Sequence, residues 1–288
     1  MTLLGVPNVS EGRDQGAIAA IGGAFEAGGA RLLDLHVDPD HNRSVYTLAA
    51  PPGRLAPALA AGAREAAKRI DMNRHTGVHP CVGALDVAPV VHLDQARRGP
   101  AVAEALVAAD EIARAIGAPV LLYGALAGGR TRAELREGGA GALARRLEAG
   151  ELRPDFGPAR AHRTAGAVLV TARPPLVAFN LLLTTRSTLD DARDIAAAVR
   201  EGGPEGLPGV RAIGVWLAHE RAAQVSLNVE RPDEIPLAAI VDAVRRHAPV
   251  SAAELVGLAP RRAFDGFPSD LPIHGFDPER HLLESLLD

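Results

Sequence analysis

Apolar and polar positions along this chain switch between a period near two and a period near 3.6, and the switches mark out its elements. Leu3 to Val9 is a short apolar run closed by the turn formers Ser10, Glu11 and Gly12, which reads as a strand. Asp14 stands where an N-cap belongs, ahead of a helix expected over Gln15 to Ala27 and stopped by Gly28 and Gly29. Arg31 to Val37 and Arg43 to Ala49 read as neighbouring strands joined by a turn at Asp38-Pro39-Asp40. Pro51-Pro52-Gly53 opens an Ala-rich helix to about Ile70, and Ala84 to His92 is a further apolar strand. Helices over Val102 to Ile116 and Thr131 to Leu147, with a strand at Val120 to Tyr123 between them, complete the first half.

The Pro/Gly loop Pro154 to Pro158 reads as a seam. Beyond it, Ala167 to Thr171 and Leu176 to Leu183 form an extended stretch interrupted by Pro174-Pro175. A helix over Asp190 to Arg200, a hairpin of Val210 to Leu217 with Ala223 to Val229, a helix over Pro236 to His247 and a strand at Leu255 to Leu258 follow. Both halves thus run β-α-β-β-α-β, the split order of ferredoxin-like units. The expected class is α/β (α+β), a duplication of two such subdomains over residues 1–160 and 161–265, with a ligand site between them, because pockets favour domain interfaces. Residues 266–288, rich in proline, are expected as a C-terminal arm over the surface or onto a partner subunit.

Composition narrows the function classes. Over 288 residues, 47% hydrophobic and 23% charged positions suit a globular protein with a sizeable core. A formal charge of −4 argues against a general nucleic-acid binder. No apolar run approaches a membrane span, and Met1 leads into TLLGVPNVSEG without the basic and apolar regions of a signal peptide. One cysteine forbids an intramolecular disulfide and suits a reducing compartment, so the cytoplasm is expected.

The chemistry concentrates in RHTGVHPCVGALDV, Arg74 to Val87. His75 and His79 have the i, i+4 spacing of helical zinc ligands, but Gly77 and Pro80 argue against a helix and no neighbouring carboxylate offers a third ligand. Cys81 near His79 has the residue types of a thiol nucleophile, although a lone cysteine is most often a small buried residue. A third reading is a general-base histidine on a rigid turn, and a fourth is a hydrogen-bonded structural histidine. Two more loops carry unusual numbers of unlike polar groups, Val6 to Gly12 and Asp38 to Arg43.

These stretches resemble the formiminotransferase family. The matching pieces are VPNVSEGRD from Val6, DPDHNRSVYTL from Asp38, IDMNRHTGVHPCVGALDV from Ile70, PVLLYG from Pro119, PDFGP from Pro154, AGAVLVTARPPLVAFNLLL from Ala165, AQVSLN from Ala223 and ELVGLAP from Glu254, in order over nearly the whole chain. The resemblance implies two ferredoxin-like subdomains around a substrate tunnel, and transfer of a formimino group from N-formimino-L-glutamate to N5 of tetrahydrofolate. It covers the formiminotransferase part, and the helical cyclodeaminase part of the bifunctional relatives is not expected here. The second histidine of the HxGxHP motif, His79, is then the general acid/base. The loop after PDF, made of Gly157, Pro158, Ala159, Arg160, Ala161, His162, Arg163, Thr164, Ala165 and Gly166, is then the folate-contacting loop. Asn8, Asn42, Arg43, Cys81 and Asp86 are further pocket residues. Tetrahydrofolate enters as co-substrate, no metal is called for, and the expected partners are small molecules and a second copy in a homodimer, without nucleic acid or membrane.

One departure bears on the donor. The family's usual HKGEHPR has Thr76, Val78 and Cys81 at its Lys, Glu and Arg positions here. Arginine is the natural partner of a substrate carboxylate, and Arg43 or Arg163 is then the nearest substitute by motif. A diverged relative acting on another N-formimino or N-formyl donor or on 5-formyltetrahydrofolate, and a non-catalytic folate-binding protein, are the alternatives.

Overall fold

Pro7 splits the first apolar run: it has no N–H to give a ladder, and two short strands form, β1 (Leu3–Gly5) and β2 (Asn8–Val9). The computed structural model describes residues 1–78 and 80–287. Asp14 caps α1 (Gln15–Ala27), accepting the Ala17 N–H at 3.0 Å. There follow β3 (Arg31–Asp38), β4 (Arg43–Ala50), α2 (Leu55–Arg69) and β5 (Leu85–Val91). Next come α3 (Arg98–Ile116), β6 (Val120–Leu122), α4 (Arg132–Arg136), α5 (Gly139–Glu148) and β7 (Val168–Arg173). One sheet collects these strands in the order β3, β4, β1 with β2, β5, β7, β6. Pairing is antiparallel from β3 to β5, and β7 lies parallel to both β5 and β6. Phe25, Tyr46, Leu55, Leu59 and Ile112 fill the core beside the sheet. Gly62 of α2 is what lets the Phe25 ring lie there, since a Cβ would stand 2.0 Å from it.

The second unit contains β8 (Val177–Leu183), α6 (Leu189–Val199), β9 (Val210–Leu217), β10 (Ala222–Val229), α7 (Leu237–Arg245) and β11 (Val250–Val256). It closes with β12 (Ile273–His274), α8 (Pro278–His281) and α9 (Leu283–Leu287). Its sheet runs β12, β11, β8, β10, β9. The split β-α-β-β-α-β element therefore occurs in each unit, and in each the fourth strand pairs with the first, the first with the third and the third with the second. Thr188 and Asp191 form a reciprocal capping box at the start of α6. Phe179, Leu181, Val225, Ile240 and Val241 are buried between this sheet and its helices.

Three expectations are corrected. The compact units divide at Pro174/Pro175, not at 160/161, because β7 takes its backbone partners from β5 and β6 and so belongs to the first sheet. The helix expected over 131–147 is two, α4 and α5, interrupted where Gly138 and Gly139 adopt φ of +72° and +74°. Of the expected arm over 266–288, the described residues 266–287 do not stand apart: β12 pairs parallel with β11, and Phe267, Leu271 and Phe276 pack on the second core. Among the described residues, no helix is long and apolar enough to cross a membrane.

Candidate functional site

Three loops that are far apart in sequence meet at Asn42. Its residue type tolerates the φ of +47° that the turn between β3 and β4 requires. Its side-chain oxygen accepts the Gly12 N–H at 2.9 Å, and its amide nitrogen donates to the Thr76 carbonyl at 3.0 Å and lies 3.4 Å from His75 Nδ1. Gly77 permits the approach, since a Cβ there would stand 2.3 Å from the His41 carbonyl oxygen. Arg13 adds bonds to the Pro39 carbonyl and the Thr76 hydroxyl. The polar excess of the Val6–Gly12 and Asp38–Arg43 loops is thus used to hold the histidine segment.

A small pocket opens at this junction, lined by Val9, Ser10, His41, Asn42, Arg43, His75, Cys81 and Asp86. Of the residues expected there, the fold assembles Asn42, Arg43, Cys81 and Asp86. Asn8 is not in the lining; it lies in β2, paired with Val45 of β4 and Val87 of β5. His79 lies outside the described residues. Ser10 and His41 are not among the individual candidates, although both belong to the two loops rich in unlike polar groups.

His41 is buried, and its Nδ1 is bound to Asp38, whose other oxygen accepts the His41 N–H at 2.8 Å. Burial pushes the Asp38 carboxyl up, but the hydrogen bonds from the His41 ring and amide, with the His41 and Arg43 charges, outweigh it and hold the group at about 2. This depressed value makes a stability contribution that is present above the unfolded value of 3.8 and lost as pH falls towards 2. Asp38→Asn is expected to cost about 2 kcal/mol at neutral pH, by conversion of that shift. Urea unfolding at pH 7 and below pH 3 checks it: the variant's deficit should shrink at the acid end, and an unchanged deficit counts against the pairing.

Burial, and then the Asp86 carboxylate, push the Cys81 thiol up to about 11. A thiol in that state is a poor nucleophile at neutral pH, which disfavours the thiol reading. The fold does supply carboxylates near His75, unlike the sequence neighbourhood, but they are engaged. Glu11 accepts the Arg13 and Asp14 N–H groups at 2.8 and 2.9 Å, and Asp86 accepts the Val82 N–H at 2.7 Å while paired with Arg136. A metal would have to strip these bonds and deprotonate Cys81. Burial pushes the His75 imidazole below its usual value, partly offset by a Ser10 backbone hydrogen bond, so it is disposed to be neutral.

The 157–166 loop is anchored at both ends. Before it, Asp155 and Phe156 bond β6, with Phe156 N–H donating to the Val120 carbonyl and Val120 N–H returning to Phe156. Gly157 turns at φ +80°, where a Cβ would stand 2.5 Å from the Ala118 oxygen. After it, His162 and Gly166 exchange backbone bonds of 2.9 and 3.0 Å, and the His162 ring accepts the Ala165 N–H at 3.0 Å. Ala84 N–H donates to Ala165, Ala167 N–H to Val82, and Met72 N–H to Thr164, all to carbonyl oxygens. Ser10 bonds the intervening Gly83 carbonyl at 2.8 Å. The loop therefore joins the same backbone strip that follows the histidine turn. Ala159, Arg160 and Arg163 are exposed on it, whereas Ala165 is buried and Pro158 and Ala161 are half-buried. Arg163 does not line the pocket; its carbonyl accepts the Asn73 side-chain amide.

The family description "Formiminotransferase domain, N-terminal subdomain" matches residues 2–173, and "Formiminotransferase domain" matches residues 178–265. The chain belongs to the formiminotransferase family. Among its relatives, glutamate formimidoyltransferase of Streptococcus pyogenes serotype M1 is 34% identical over 98% of this chain and 97% of its own length. The protein of that name in Thermoplasma acidophilum is 33% identical over 98% of this chain and 96% of its own. Formimidoyltransferase-cyclodeaminase of Gallus gallus is 38% identical over 90% of this chain, which spans 50% of that longer protein. The two family matches meet between residues 173 and 178, around the Pro174/Pro175 division of the units.

Proposed function

We propose that this family member transfers a formimino group from N-formimino-L-glutamate to N5 of tetrahydrofolate. The observation that carries the reading is the joining of the histidine turn and the 157–166 loop on one backbone strip, through the Ala84–Ala165 and Ala167–Val82 bonds. An acid–base group and a pterin-contacting loop need that proximity. In the reaction N5 attacks the amidine carbon, a tetrahedral intermediate forms, and the glutamate amine departs. The proton lost from N5 must be taken up and one returned to the amine. A single imidazole with a pKa near neutrality does both in turn, worth roughly 10²–10⁴-fold. His79 is assigned that role, and Gly157 to Gly166 the folate contact. The steps need no metal, and folate is a carrier that diffuses in and out. The same reading includes a reducing cytoplasm and a homodimer, with small molecules as the substrates. Turnover with tetrahydrofolate and several formimino and formyl donors, beside folate binding by calorimetry, tests it; folate binding without turnover on any donor would instead identify a non-catalytic folate binder.

The donor's two carboxylates need cations. Arg43 lines the pocket beside Cys81, so it is the better-placed of the two substitutes for the motif arginine. Cys81→Arg is expected to lower KM for formiminoglutamate about tenfold, if one charge-assisted pair of roughly 1.5 kcal/mol is gained. A donor without the carboxylate should be unaffected. If both donors respond alike, or neither responds, position 81 does not face the amino-acid group.

A further inference from the structure

Asp86 stands near the start of β5, almost fully buried, with both carboxylate oxygens in use. One accepts the Val82 N–H at 2.7 Å, and the other is paired with the Arg136 guanidinium. Burying a carboxylate this far is costly unless it is paired, and Arg136 is its ion-pair partner among the described residues. Arg136 is itself delivered by a braced element. Thr131 and Glu134 close a capping box at the start of α4, and the Glu134 carbonyl accepts an Arg146 N–H from α5 at 2.9 Å. Leu135, fully buried, packs in one apolar cluster with Val82 and Val87. The Arg136 side chain is 11% exposed, and its buried Nε has no partner among the described residues, so its polar anchorage is the pair with Asp86.

Val82 is the point where the histidine turn rejoins the folded strip: its carbonyl accepts from Ala167, and the next peptide, Gly83, is held by Ser10. We propose that Arg136 is a positioning residue of the formimino-transfer site, clamping Asp86 so that Asp86 fixes the Cys81–Val82 peptide and with it the end of the turn that carries His79. The inference rests on the function proposed above for its catalytic consequence, but not for the clamp. Arg136 belongs to a helix 50 residues beyond Asp86 in sequence, and among the described lining residues Asp86 is the one it is hydrogen-bonded to, so its effect runs through that carboxylate. Both groups act on the Cys81 thiol, in opposite directions, as expected of a pair beside the turn.

Three variants of the full chain test this, Arg136→Gln, Arg136→Lys and the double variant of Arg136→Gln with Asp86→Asn, by amide exchange at Val82 and by steady-state kinetics with formiminoglutamate and tetrahydrofolate. Arg136→Gln should exchange the Val82 amide at least about tenfold faster and lower kcat about 10- to 100-fold, with KM for tetrahydrofolate within about twofold, because misplacing an acid–base group costs rate before binding. Arg136→Lys keeps the charge and should recover Val82 protection and most of kcat. Asp86→Asn added to Arg136→Gln should cost little more than Arg136→Gln alone, since the two act as one unit. Unchanged Val82 exchange in Arg136→Gln overturns the clamp, and so does a Lys variant as impaired as the Gln one. Faster exchange at all core amides, with kcat and KM failing together, overturns positioning in favour of a general stabilising role. An inactive wild-type protein defeats the functional reading instead, while the Val82 measurement still decides the clamp.

Discussion

Replacing His79 by alanine is expected to lower kcat for formimino transfer by about 10²-fold or more, while folate affinity stays near the wild-type value. Gly77 accepts an approach to the His41 carbonyl that any side chain would block, Asn42 ties Thr76 and Gly12 together, and Asp86 holds the Val82 amide. So many bonds spent on a short connection between α2 and β5 fit a loop that must present a group at a fixed place. The thiol and carboxylate groups held at this junction are poorly suited to proton transfer at neutral pH. Cys81 is held as the thiol, Asp38 as the carboxylate bound to His41, and Asp86 is tied to Arg136. Removing an imidazole that only moves protons deletes a transition-state interaction and leaves ground-state contacts alone. Single-turnover rates and calorimetric folate binding separate the cases. Equal loss of rate and binding would make His79 a binding or structural residue.

Gly166→Ala should be strongly destabilising for a single added methyl in the first unit's loop system. Gly166 sits at φ +70°, a conformation that costs other residues about 1 kcal/mol or more. A Cβ there would also stand 2.2 Å from the Val82 carbonyl oxygen, which is backbone and already accepts from Ala167. Relief requires pulling the loop off the strip, at the expense of the paired His162–Gly166 bonds and the Ala167–Val82 bond, each about 1 kcal/mol net. The sum, about 3–4 kcal/mol, corresponds to a fall in Tm of roughly 10 °C for a unit of this size. Gly129→Ala is the control: its φ is +92°, but nothing lies within 4 Å of the added methyl, so only the backbone strain is charged. Folate KM should rise with Gly166→Ala and not with Gly129→Ala. Equal melting temperatures for the two variants would show that the loop is not held through Gly166.

Elements whose signals are local were legible in the chain. The Asp14 cap and the Gly28-Gly29 stop bound α1 at the residues the sequence suggested, and the β9–β10 hairpin follows its alternating pattern. What failed was choice of partner. Val168 to Arg173 reads as a strand from its own residues, but nothing local tells it to pair with β5 and β6 instead of opening the second unit. Gly138-Gly139 falls inside the stretch that reads as one helix from Thr131 to Leu147, and only the positive φ of both shows why the helix is interrupted there. In the site, the loops rich in unlike polar groups announced themselves, whereas Arg136 did not. An arginine on a short surface helix has no local mark of its use, because its meaning lies in a buried carboxylate 50 positions earlier.

The parallel placement of β7 beside β5 has a consequence for how the chain must be made. Strip residues Val82 to Ala84 leave the ribosome early, but their partners Ala165 to Ala167 and the covering strand come some eighty residues later. Until then the nascent chain carries an apolar, unpaired β5 edge, the kind of surface on which growing chains stick together or recruit chaperones. Closing such a long-range parallel pair is also slow compared with forming the helices around it. The joining of the histidine turn to the 157–166 loop therefore cannot be made piecemeal during synthesis: it is completed only when translation has passed Arg173, and a chain stalled before that point holds the pocket's lining residues but not the strip that joins them to this loop.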